Sequence, residues 1–85
     1  MEKRESFPLA YAKANEKVEV VKVKGEEEIV KHLHNLGIRK GAIISIVGQQ
    51  NVGIIIKVQD SRVALNKEFS SKITVAKVMN LELGK

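Results

Sequence analysis

Few residues in this chain are of a type that could do chemistry. His32 and His34 are its two histidines, in a His-x-His spacing that looks like a metal chelate, and Glu28 stands four residues before His32. Cysteine is absent, which removes thiolate ligands, thiol nucleophiles and disulfides together. On a helix, side chains two positions apart diverge by about 200°, so His32 and His34 cannot aim at one ion. Glu28 and His32 do share a face, but two ligands make a loose, unselective site. The expectation is no cofactor, with at most a weakly held transition metal ion at His32, His34 and Glu28.

The other candidates carry less. Ser45, Ser61, Ser70 and Ser71 have no accompanying histidine-and-acid motif. Gly48 and Gly53 flank a turn, without the lysine-serine/threonine ending of a phosphate-binding loop. Glu26, Glu27 and Glu28 suit the positive end of a helix dipole better than an ion site. No catalytic residues are expected, and the chain does not read as an enzyme.

The most informative stretch is Leu33-His34-Asn35-Leu36-Gly37-Ile38-Arg39-Lys40-Gly41. Before it, Ile29, Val30, Leu33 and Leu36 form a helical stripe over Glu26–Leu36. Gly37 stops that helix, and Gly41 opens a run of strands. Strands are expected near Val18–Val23, Ile43–Val47, Gly53–Val58, Arg62–Leu65 and Ile73–Val78. In the first, Val18 and Val20 share one face while Val21 and Val23 take the other, a phase change that signals a bulge. A hairpin loop is expected over residues 48–53, a tight turn at Asp60-Ser61, and one helical turn over Lys67–Ser71 capped by Asn66. The pattern predicts a mainly β fold, a small antiparallel barrel of about five strands with one short α-helix between the first and second.

Eighty-five residues support one domain over 1–85 with a single thin core. Residues 1–6 are charged and unpatterned, and are expected to be disordered. Residues 79–85 form an extension in which Met79, Leu81 and Leu83 alternate with Asn80 and Glu82. Apolar runs such as Ala42–Ile44 fall far short of the roughly 20 residues of a membrane span. The start Met-Glu-Lys-Arg-Glu-Ser lacks an apolar leader core, so a cytoplasmic domain is expected. The net charge of +5 is interleaved with acids along the chain, and Phe7, Tyr11 and Phe69 form no basic-aromatic cluster. Nucleic acid is not the expected partner.

Apolar residues exceed what one core face needs. Ile55 lies between inward-facing Ile54 and Ile56, and Ile43 and Val47 oppose Ile44 and Ile46. Candidate partner-binding positions are therefore Ile43, Val47 and Ile55, with Gln49, Gln50 and Asn51 of the hairpin. The tail Met79–Leu83 could pair with a sheet edge and give a homo-oligomer.

From Phe7 to Val75 the chain resembles a FeoA-type domain. The matching pieces are Pro8-Leu9, Val18-Glu-Val-Val-Lys-Val, then Leu33-x-x-Leu36-Gly37-Ile38-x-x-Gly41, Ile43–Val47, Ser61-Arg62-Val63-Ala64-Leu65 and Ile73-Thr74-Val75. Leu33, Leu36, Gly37 and Gly41 carry the most specific part. The resemblance implies an SH3-like barrel and a bacterial accessory role in ferrous iron transport, by contact with the cytoplasmic part of the FeoB-type membrane transporter. It also implies an alternative, a direct transition-metal-binding sensor similar to the C-terminal domain of DtxR-type repressors. No helix-turn-helix pattern precedes the barrel, so a repressor is not expected.

Overall fold

A computed structural model describes residues 5–51 and 53–78. Along the chain run β1 (Ser6–Pro8), a 3-10 turn (Leu9–Tyr11), β2 (Lys17–Val23), α1 (Glu27–Asn35), β3 (Ile43–Gln50), β4 (Gly53–Val58), β5 (Ser61–Asn66), α2 (Lys67–Ser71) and β6 (Ile73–Lys77). All pairings are antiparallel, in the order β1-β6-β2-β3-β4-β5. The mainly β class holds, with two changes of detail. There are six strands among the described residues rather than about five, and α1 follows the second strand rather than the first. The extra strand is β1, which takes in Ser6, a residue expected to be disordered. Pro8 ends this edge strand, where its missing N–H removes no essential ladder bond. Residues 1–4 and the apolar tail Met79–Leu83 lie outside the described residues.

Two bulges bend the sheet. The first shifts the β2–β6 register between Val20 and Lys22, where the valine pattern changes phase. The second shifts the β3–β4 register between Ile46 and Gly48, leaving Val47 as the extra residue. Beyond it β3 continues to Gln50, so Gly48, Gln49 and Gln50 are strand residues paired with Ile55, Ile54 and Gly53, not loop. The ladder thus runs up to the Gln50–Gly53 pair, well into the stretch expected to be loop. The next hairpin turns at residues 59–60, because Ser61 already pairs with Val58.

The bent sheet wraps one core of Val18, Val20, Ile44, Ile46, Ile54, Ile56, Val58, Leu65, Ile73 and Val75, joined by Leu9, Leu33 and Ile38. Burying a Leu, Ile or Val side chain contributes about 1.5–3 kcal/mol each, an upper figure because unfolded chains already bury some surface. Of the helical stripe only Leu33 is fully buried, while Ile29, Val30 and Leu36 are half-buried. At one end of the roll, α2 packs on the 3-10 turn and the ends of β4, β5 and β6. Its Asn66 cap accepts from the Phe69 N–H at 2.8 Å. Gly53 allows β4 to approach β5, since a Cβ there would sit 2.0 Å from the Leu65 carbonyl oxygen.

Candidate docking surface

The local sequence of β3 determines what faces outward. Inward Ile44 and Ile46 alternate with Ile43, Ser45 and Val47, leaving Ile43 47% and Val47 39% exposed. They and Tyr11, at 74%, are the exposed large apolar residues among those described. Ile55 shares the outer face of β4 but is half-buried, opposite Gly48 and Ala64. The three apolar candidates are therefore on one face, with Ile43 and Val47 its most accessible members.

The hairpin candidates divide. Because Val47 is bulged, alternation restarts after it, and Gln49 pairs with inward-facing Ile54. Its side chain accordingly reaches back to the 3-10 turn, where Nε2 donates to the Ala12 carbonyl and, at 3.2 Å, to that of Ala10. Gln49 thus has an intramolecular partner. Gln50 lines a shallow depression of about 480 Å³ with Tyr11, Lys67 and Ser71, while Asn51 is exposed at the turn.

The outer face carries a charge pattern that linear reading missed. Lys17 pairs with Ser45, Ser45 with Lys57, and Lys57 with Arg62. Directly opposed residues project to the same face, so these four form one row across β2, β3, β4 and β5. Lys17, Lys57 and Arg62 are exposed, and no salt bridge to them exists among the described residues. Glu19 lies on the same face in the next row, opposite Ile43 and Ala76. The available signal was each cation's place beside an inward residue: Lys17 before Val18, Lys57 between Ile56 and Val58, and Arg62 before Val63. Only the register aligns them.

The three metal candidates are not brought together as one group. The His32 ring lies 6.1 Å, centroid to centroid, from that of Phe69 in α2. His34 lines a separate depression of about 360 Å³ with Arg39, Gln59 and Ser61. Glu28 is exposed in the first turn of α1. No group of three or more His, Cys, Asp or Glu side chains converges among the described residues. The donors present do not fit a dedicated transition-metal cage, which takes at least three protein ligands.

One carboxylate has a shaped environment. Glu16 Oε1 accepts from the Lys13 N–H at 2.9 Å, and Oε2 lies 3.5 Å from Lys77 Nζ. The backbone hydrogen bond, with a smaller contribution from the Lys77 charge, holds the Glu16 carboxyl below its ordinary value. This acid closes the 13–16 turn and ties it to the end of β6.

Gly37 and Gly41, with backbone φ of +92° and +91°, bracket the link from α1 to β3. The Gly41 N–H donates to the Val20 carbonyl at 2.8 Å, and the Val20 N–H donates to that of Ala42 at 2.9 Å. The motif thereby locks β3 onto the bulged part of β2 and positions the outward face.

Residues 7–77 match the FeoA domain family. The chain is 32% identical over 69 residues to a protein of Methanocaldococcus jannaschii named Fe(2+) transport protein A, covering 81% of this chain and 84% of that protein. It superposes on a crystal structure of an iron uptake regulatory protein (FeoA) with a TM-score of 0.81 and 28% identity, over 87% of this chain and 100% of that one. A manganese-dependent transcriptional repressor also gives a TM-score of 0.81, over 92% of this chain and 45% of that one, but at 12% identity it shares the fold alone. No helix among the described residues is long and apolar enough to cross a membrane. The family match spans nearly all the described elements, including the Leu33–Gly41 link, and on it the chain belongs to the FeoA family of ferrous iron transport.

Proposed function

We propose that this protein is a cytoplasmic, non-enzymatic accessory factor of ferrous-iron uptake that modulates a FeoB-type transporter by binding the transporter's cytoplasmic part. The observation that carries the reading is the outward placement of Ile43 and Val47 on a strand paired on both sides, in a domain of the ferrous-iron family. An exposed apolar pair on a strand anchored on both sides is a surface fit for contact rather than turnover. Support also comes from the chemistry of the described residues, among which no three His, Cys, Asp or Glu side chains converge. The test is copurification of this chain with the recombinant cytoplasmic part of the transporter. Retention of that part by the wild-type protein, and its loss with an Ile43→Asp/Val47→Asp variant that keeps its fold, is the expected result. Equal retention by the variant would exclude this face.

A further inference from the structure

The cation row carries a cost at its Lys57–Arg62 step, while Glu19, two positions from Lys17 on the same face, lies at the far end of the row. Lys57 and Arg62 are directly opposed on adjacent strands, where like charges destabilise the pair. Lys17 extends the row beyond Ser45. No carboxylate pairs with any of the three among the described residues. The row runs between Ile43 on one side and Val47 with Ile55 on the other, because those residues precede or follow Ser45 and Lys57 by two positions on the same faces. Apolar and cationic groups are thus interleaved on a single surface.

We infer that the outer face of β2–β5 is a docking site for an acidic protein segment, whose carboxylates meet Lys17, Lys57 and Arg62 while its apolar side chains cover Ile43 and Val47. The inference rests on the proposed adaptor reading and adds the partner's chemistry to it. Charge complementarity selects an anionic occupant. The apolar flanks select protein over nucleic acid, since a phosphate backbone offers nothing to cover Ile43 and Val47. The aromatic platforms that single strands stack on are also missing from this face: Phe7 and Phe69 pack against the core, and Tyr11 belongs to the 3-10 turn. Contact with an acidic segment would relieve the Lys57–Arg62 repulsion, so the feature that weakens the free protein strengthens the complex.

The experiment titrates wild-type protein and a Lys57→Gln/Arg62→Gln variant with four probes at low and high salt. The probes are the transporter's cytoplasmic part, a synthetic peptide alternating glutamate and leucine, a single-stranded oligonucleotide, and vesicles containing anionic lipid. The inference predicts that the variant binds the transporter part and the peptide about three- to tenfold more weakly at low salt, with a flatter salt dependence and an unchanged or raised melting temperature. Equal binding by both proteins, with the same salt response, overturns the docking site while leaving the adaptor reading intact. Row-dependent binding of the peptide but none of the transporter part keeps the site and overturns the adaptor reading. Tighter row-dependent binding of the oligonucleotide or the vesicles overturns the choice of an acidic protein.

Discussion

The Ile38 N–H donates to the Leu33 carbonyl at 2.9 Å, spanning the end of α1, while the Gly37 N–H donates to the His34 carbonyl at 2.9 Å. These two bonds form a Schellman motif, and the two positions that usually carry its apolar contact, Leu33 and Ile38, are both fully buried in the one core cluster. The motif turns the chain sharply enough for β3 to begin at Ile43 alongside β2. Everything outward on β3, including Ile43 and Val47, takes its position from this joint.

Gly37→Ala tests the joint. A Cβ there would meet Val58 Cγ1 at 3.0 Å, on a backbone with φ of +92°. The left-handed conformation alone costs a residue with a Cβ roughly 1–2 kcal/mol. Denaturant unfolding should show a loss of at least that size with an unchanged slope. A loss below about 0.5 kcal/mol would mean that the local backbone relaxes without strain.

Parts of this architecture were legible because their causes are local. The α1 stop depends on neighbours between Leu33 and Ile38, and the β2 bulge on a phase change among four valines. Asn66 caps α2 from the adjacent position. What was hidden depends on distant partners. β1 exists because β6, some 68 residues later, pairs with Ser6, Phe7 and Pro8. Gly48 has the composition of a turn, yet the Val47 bulge keeps it in the ladder opposite Ile55. The row of Lys17, Lys57 and Arg62 is scattered in sequence and assembled by register alone. Ile43, Val47 and Ile55 were visible as surplus apolar residues, but no linear pattern indicated that the Gln49 side chain would bond back to the 3-10 turn.

Gln49 fastens the 3-10 turn to β3 through the Ala10 and Ala12 carbonyls. Gln49→Leu removes the donor and should cost about 1–3 kcal/mol, since a part-buried carbonyl loses its partner. Native-state hydrogen exchange should show faster exchange of the Ala12 amide, which itself donates to Leu9. Unchanged protection there would assign the hold on this segment to the packing of Leu9.

Glu16 gives the fold an acid-sensitive tether. Its carboxyl is held below the ordinary value of 4.5, chiefly by the Lys13 N–H. The folded state therefore binds that proton less readily than the unfolded state. The stabilisation is full above the unfolded value and is lost as pH falls through the lower folded one. Melting temperatures measured from pH 7 down to pH 3 should fall less steeply for Glu16→Gln than for the wild type below about pH 4.5. Parallel profiles would remove Glu16 from the acid response.

Transition metals test the dispersed donors. Calorimetric titration with zinc or ferrous ion should show no binding tighter than about micromolar, as expected where His32, His34 and Glu28 supply no shared site. Submicromolar binding abolished by either His32→Ala or His34→Ala would establish a sensor instead.

Contact with the transporter is the central claim, and its most direct measurement is calorimetric titration of the transporter's purified cytoplasmic part into this protein and into its Ile43→Asp/Val47→Asp variant. The account predicts saturable binding at or below tens of micromolar for the wild type, weakened at least tenfold in a variant whose circular dichroism and melting are preserved. Absence of binding by the wild-type protein under the same conditions would contradict it.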